Sequence, residues 1–351
     1  MKTAIETLRG LIRAKYFSAP FYMHLYVTER CNLRCKMCNI WQRKSKDMTL
    51  KEIGQYAKIL KELKVPNVVV TGGEPFLHPD IVEIVKLLND DGFSIRLQTN
   101  AELVTEEKIR ALANAGLKNI TLSLDSLDEK TFDWICNSKN LVQKVKKSLD
   151  MAAENIKGFI VVNTAVSKIN ISELPEIVQF VHAKGAYSSL MPVHLRPDEN
   201  VPHFCYGYSR EMLFSKEDIP EIEKSYAEVL KMKKEGYRII NSRKYLEASL
   251  EYLKTGNYAW NCRAGERFFV IYSDGGVALC DAFPPLFHIK SNSPDKFRST
   301  EYQEGARRVR ESCRGCMSAC WRETNLFVDD FETKMEQMRL YLRKITGTHH
   351  K

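Results

Sequence analysis

From residue 21 onward the chain alternates between two hydrophobic rhythms. Short apolar, β-branched runs lie at 21–28 (FYMHLYVT), 67–71 (NVVVT), 94–99 (SIRLQT), 119–124 (NITLSL), 158–166 (GFIVVNTAV) and 187–193 (YSSLMPV). Their length and composition predict strands. Between them, apolar residues recur every three or four positions. In 50–63, Ile53, Tyr56, Ala57, Leu60 and Leu63 share one helical face. The same spacing predicts helices over 81–90, 105–116, 140–154 and 172–185. Gly92, Gly116 and Gly185 stand where helices should stop, and Thr105 followed by Lys108 is a partial start signal. Strands alternating with helices imply parallel pairing and right-handed crossovers. Six such units over 21–195 predict an α/β fold, a partial (β/α)6 TIM-like barrel.

The flanks follow other patterns. Residues 1–20 read as an amphipathic helix, with weak membrane-surface contact as the second reading. Glu6, Arg9, Arg13 and Lys15 break up the continuous apolar core that a signal peptide needs. The rhythm fails over 196–257, a linker with Pro197, Pro202 and charged helical stretches. In 258–327, RFFVIYSDGGVALC sets two apolar runs around Asp274-Gly275-Gly276, which predicts a hairpin. A helix is expected over 328–351, so the barrel should be followed by a small hairpin-plus-helix unit.

Among the 351 residues no stretch approaches the roughly 18 uncharged apolar positions of a membrane helix, and a cytoplasmic location is expected. Lys and Arg exceed Asp and Glu, 53 to 44, and the excess is spread along the chain. That suits solubility, an anionic or amphipathic small molecule, or an acidic electron donor. Nucleic acid is the less expected partner, because no basic-aromatic strip or binding motif is present.

Cysteine changes the picture most. Eight of the ten fall in two groups, Cys31, Cys35 and Cys38 at the front and Cys262, Cys280, Cys313, Cys316 and Cys320 at the back. Clustered thiols in a chain without export signals point to metal. Four-ligand zinc lacks a nearby histidine to complete the front group. A redox Cys35–Cys38 pair leaves Cys31 unexplained. Three thiolates suit an iron–sulfur cluster with one iron open. Parallel α/β folds gather ligands at the carboxyl ends of their strands. That rim carries Thr28-Glu29-Arg30 and the thiols, then Gly72-Gly73-Glu74-Pro75, Gln98-Thr99-Asn100, Ser123-Leu124-Asp125, Asn163, and Met191 with His194 and Arg196.

With these residues in place, the sequence resembles the radical S-adenosylmethionine (SAM) enzymes. Cys31, Cys35 and Cys38 match that family's Cys-x3-Cys-x2-Cys loop after the first strand. The resemblance implies a [4Fe-4S] cluster whose open iron is chelated by SAM. Met37 stands where the family usually has an aromatic residue next to the adenine. By the same resemblance, Gly72, Gly73, Glu74 and Pro75 meet the methionine amino group, and Ser123 and Asp125 reach the ribose. Thr99, Asn100 and Asn163 are weaker carry-overs. The back group resembles the family's SPASM or shorter twitch extension. It implies one auxiliary [4Fe-4S] cluster on Cys262, Cys280, Cys313 and Cys316, with Cys320 as the substitute and a zinc ribbon as the alternative. Trp260 and Trp321 are expected to shield it.

His194, Arg196, His203 and Cys205 are candidates to meet substrate, and Cys136 reads as core. The implied chemistry is reductive cleavage of SAM to a 5′-deoxyadenosyl radical, hydrogen abstraction and net oxidation of a small-molecule, pigment or lipid-type intermediate. A flavodoxin- or ferredoxin-type protein would donate the electron. The early first strand leaves little room for a peptide-recognition domain, so a peptide maturase is the alternative. A non-enzymatic iron–sulfur carrier is the opposing class.

Overall fold

In the computed structural model, residues 2–17, 19–43, 45–195, 206–258, 260–289, 294–313 and 315–346 are described. Six strands succeed one another in parallel: β1 (Tyr22–Thr28), β2 (Asn67–Gly72), β3 (Ser94–Thr99), β4 (Asn119–Ser123), β5 (Ile160–Val166) and β6 (Tyr187–Pro192). Helix α1 (Lys2–Tyr16) precedes them. The crossovers carry α2 (Leu50–Glu62), α3 (Ile81–Asp90), α4 (Glu106–Asn114), the pair α5 (Glu129–Cys136) and α6 (Leu141–Asn155), and α7 (Leu174–Ala183). The segment around Cys136 is thus a helix of its own, which the sequence pattern did not separate. Thr49 and Glu52 form a capping box on α2, and Thr105 caps α4 by accepting from the Lys108 amide at 3.3 Å. Gly92, Gly116 and Gly185 end their helices at φ of 87°, 101° and 73°.

Alternation along the strands separates two environments. Ile95 and Leu97 of β3 are buried with Val68, Val70, Ile120 and Leu122 in the core beneath the helices. Their neighbours Ser94, Arg96 and Gln98 are only half-buried and point to the other face. Asn67, Val69, Ser94, Arg96, Asn119 and Ser189 line a lumen cavity of about 210 Å³. A closed eight-stranded barrel fills this space with branched apolar side chains. Six strands leave it open at the amino ends of the strands, with Arg96, Asn67 and Asn119 set in a largely apolar lining.

The linker holds α8 (Ile219–Lys234) and α9 (Arg243–Thr255); α8 packs on both α7 and α9 around Ile222, Tyr226 and Tyr245. Beyond it the hairpin does not stand apart. β7 (Phe268–Ile271) pairs parallel with β1, and β8 (Gly276–Ala278) and β9 (Phe287–His288) continue antiparallel. One nine-stranded sheet results, in the order β6-β5-β4-β3-β2-β1-β7-β8-β9. Three helices follow: α10 (Thr300–Ser312), α11 (Ala319–Asp329) and α12 (Phe331–Thr346). Arg267, 4% exposed, ties the start of β7 to α11 through Asp329 at 2.6 Å and Asn325 at 3.0 Å. Among the described residues no helix is long and apolar enough to cross a membrane.

Candidate functional site

The loop after β1 places the three front thiols together, and each is partly buried. Amides of Leu33 and Ile40 donate to the Cys31 and Cys38 sulfurs at 3.4 and 3.5 Å. Burial pushes both thiols up to about 12, and the neighbouring Cys35 adds to the rise. A bound cation reverses that tendency by favouring the thiolate. The loop is clamped from outside: Lys36 and Arg34 amides donate to Ile135 and Cys136 carbonyls at the end of α5, at 2.9 and 3.3 Å. Gly207 donates to the Met37 carbonyl at 2.8 Å, and a Cβ there would come 2.4 Å from the Lys36 carbonyl oxygen. Cys136 is buried core, yet its thiol also meets Cys35, which with burial raises it well above its ordinary value.

The glycine turn after β2 is built into the same loop. The Gly73 amide donates to the Thr28 carbonyl at 2.9 Å and the Glu74 amide to the Arg30 carbonyl at 2.8 Å. A Cβ on Gly72 or Gly73 would sit 1.9 or 2.1 Å from those same two oxygens, so neither position admits a side chain. Glu74 is fully buried. Its carboxylate accepts from the Phe76 amide at 3.0 Å, the Thr99 hydroxyl at 2.8 Å and the Asn100 amide at 2.7 Å. Burial still pushes it up to about 7. Thr99 and Asn100 therefore orient Glu74, and the Asn100 side chain approaches Cys31 Sγ at 3.9 Å.

Ser123 and Asn163 are paired across β4 and β5, both half-buried. Asp125, 5% exposed, accepts from the Ala165 amide at 2.7 Å, and burial pushes it up to about 7. Asn170, which the sequence did not single out, holds this corner by donating to the Asp125 and Ala165 carbonyls at 2.6 and 2.9 Å. An amide beyond the next strand in sequence leaves no motif to find.

Cys262, Cys280, Cys313 and Cys316 form a second group: after burial, Cys313 raises Cys262, Cys316 and Cys262 raise Cys280, and Cys262 and Cys313 raise Cys316. Burial is the main cause pushing Cys262 to about 11 and Cys316 to about 12. Trp260 donates to the Cys316 carbonyl at 2.8 Å and Tyr258 to the Cys313 carbonyl at 3.3 Å. Cys320 stands elsewhere, on the lumen wall beside His24 and Tyr22. Burial opposes its charge, but His24 holds it below the ordinary thiol value. Trp321 stacks on Phe268 at 4.5 Å and lies over His24 rather than over the four thiols. Among the described residues no three ligating side chains converge tightly enough for a single metal ion.

The Radical SAM superfamily profile matches residues 25–181. A GTP 3′,8-cyclase of Peptoclostridium acidaminophilum is 32% identical over 232 residues, 62% of this chain and 69% of that protein. The chain belongs to the radical SAM superfamily. The PqqA peptide cyclase of Bradyrhizobium diazoefficiens is 31% identical over 175 residues, 47% of this chain and 44% of the relative. The chain spans about half the length of most of the curated relatives it matches. Among solved structures, native anSMEcpe with bound AdoMet and Cp18Cys peptide has a TM-score of 0.64 over 93% of this chain and 99% of that one. At 16% identity the likeness is one of fold.

As a radical SAM enzyme the chain implies a [4Fe-4S] cluster and SAM, and the front residues fit both. Three thiols with amides aimed at two of their sulfurs suit a cluster, and a turn closed to side chains leaves backbone accessible beside it. The substrate candidates divide. His194 accepts from the Met317 amide at 3.2 Å and stacks on Tyr206, joining the barrel to the second thiol segment. Arg196, His203 and Cys205 lie outside the described residues. Arg96 was not foreseen: among the described residues it forms no ion pair within 4 Å, and its side chain lines the lumen.

Proposed function

We propose that the protein is a radical SAM maturase that oxidises or cyclises a peptide. What supports this reading is the likeness of nearly its whole length to a peptide-bound enzyme of the same architecture, together with the peptide cyclase among its relatives. A small-molecule substrate is the second reading, favoured by the GTP 3′,8-cyclase match that covers 69% of that relative.

Cys31, Cys35 and Cys38 would hold the cluster, which when bound supplies the electron that cleaves SAM and so the radical that takes a substrate hydrogen. The Gly72–Pro75 turn orients the methionine end, with Glu74 fixed by Thr99 and Asn100. Ser123, paired with Asn163, and Asp125 would meet the ribose, and Met37, clamped by Gly207, the adenine. Cys262, Cys280, Cys313 and Cys316 would give a second cluster four ligands and no open iron, which suits electron relay and net oxidation. A flavodoxin- or ferredoxin-type donor would meet the basic chain.

Anaerobically reconstituted protein, given dithionite and SAM, should form 5′-deoxyadenosine, and Cys35→Ala should not. A low-molecular-weight peptide fraction from the source cells should raise the yield and lose a pair of hydrogens by mass. Stimulation by GTP alone would replace the peptide with the nucleotide reading, and no deoxyadenosine in either arm would end both.

A further inference from the structure

Helices α1 and α12, which both pack on α11, leave apolar side chains uncovered. On α12, Phe331, Met338 and Leu342 are 73%, 50% and 57% exposed, and at that spacing they form one stripe along the helix. Tyr341, 51% exposed, lies at its edge. On α1, Ile12, Tyr16 and Phe17 are 48%, 69% and 74% exposed. The opposite face of α1 is satisfied: Ala14 and Leu11 pack with Phe21 and Val328 of α11. Isolated exposed apolar residues are ordinary, but seven on or at the end of two helices that both pack on α11 mark an interaction surface.

Charge says what kind. Lys15 of α1 and Lys334 of α12 are close enough that Lys15 helps, after burial, to hold Lys334 below its usual value. Both helices pack on α11, which brings their cationic residues to one side of the molecule. Arg339 and Arg343 flank the apolar stripe. Among the described residues none of Lys15, Lys334, Arg339 and Arg343 forms an ion pair within 4 Å. The acidic residues of α12 are already taken: Glu336 pairs with Lys233 at 2.6 Å and Glu332 with Lys244 at 3.2 Å. Asp329 and Asp330, which also face Lys334, are held by Arg267 and Lys244. The surface is thus aromatic and aliphatic at its centre, with unpaired cations at its rim.

We propose that α1 and α12 together form a docking face for an anionic lipid bilayer, with Phe17, Phe331, Met338 and Leu342 entering the interface and Lys15, Lys334, Arg339 and Arg343 meeting the headgroups. Exposed apolar side chains flanked by Lys and Arg are the combination that holds a helix in a membrane surface without crossing it. A protein partner would need acidic residues around an apolar knob, and a second copy of this chain would bring like charge against like. The bilayer satisfies both features at once. The face lies away from the thiol rim, so it does not depend on the substrate.

The reconstituted full chain should co-sediment with vesicles of phosphatidylcholine containing about a third phosphatidylglycerol, and scarcely with phosphatidylcholine alone. Raising salt to 0.5 M should weaken the association several-fold. Met338→Glu with Leu342→Glu should reduce partitioning by about tenfold or more, while SAM binding and the melting transition stay as in the parent. Arg339→Gln with Arg343→Gln gives a second, milder pair that removes charge without inserting any. Binding that is absent from anionic vesicles, or unchanged in both pairs, would overturn the proposal. So would a dimer, seen by sedimentation velocity, that the Glu pair abolishes.

Discussion

Gly73 holds the turn after β2 against the loop of the front thiols. Its missing Cβ lets the Arg30 carbonyl come where a methyl would sit at 2.1 Å. Gly73→Ala must push the turn off the cluster loop, an overpacking cost of about 1–3 kcal/mol. SAM affinity, measured by calorimetry on the iron-loaded protein, should fall about tenfold, with iron content unchanged. Asp125 gives a second residue-scale expectation. Burial holds its carboxyl at about 7 in the fold, well above the ordinary 3.8. Between those values the folded chain keeps a proton that the unfolded chain releases, so stability falls as pH rises from about 4 to 7. Glu74, raised to about 7 by burial, acts in the same direction. Asp125→Asn should flatten the pH dependence of urea unfolding across that window by up to about 3 kcal/mol. An unchanged slope would mean that Asp125 is ionised throughout.

Helix α6 shows how one element borrows from another. Its N-cap, Asn140, sits at φ 55° and makes no capping bond with its own side chain. The first amides of α6 are met instead from α5. Asp133 accepts from Asn140 and Leu141 at 2.8 and 3.0 Å, and Glu129 accepts from Val142 at 2.9 Å. α5 in turn offers its last carbonyls to the cluster loop. Asp133→Ala should lower stability by about 1–2 kcal/mol in chemical denaturation. Because α5 braces the loop, the same variant should lose iron faster to a chelator. None of this was readable from the helix pattern, which marked 140–154 alone. Periodicity records which side is apolar, whereas a cap given by a residue seven positions back has no period.

At the scale of the molecule, two thiol groups more than 200 residues apart are brought onto one sheet because β7 pairs with β1. Two clusters predict about eight irons per chain. Cys262→Ala with Cys280→Ala should leave about four, and the reduced front cluster should keep its SAM-sensitive paramagnetic signal. Retention of all eight would place the second cluster on other residues. Most of the barrel was legible beforehand, since the six strand runs and their stop glycines are local signals repeated along the chain. The front thiols were legible too, as ligand spacing within one loop survives any arrangement of the rest. Cys320 was not. Nothing in CMSAC separates a thiol of the second group from one that turns to His24 across the lumen.

Sequence alone determined the strand–helix alternation, the trio of front thiols and the glycine turn beside them, because each depends on neighbours only a few positions away. Tertiary structure decided the rest. It joined the hairpin to the barrel sheet, opened a lumen around Arg96 and sent Cys320 away from the other four back thiols. It also left α1 and α12 with an apolar face turned outward. Which face of a strand becomes a cavity, and which side of a helix stays uncovered, follows from the number of strands that close and the helices that cover them. Those are properties of the assembled sheet, and no local run of residues encodes them.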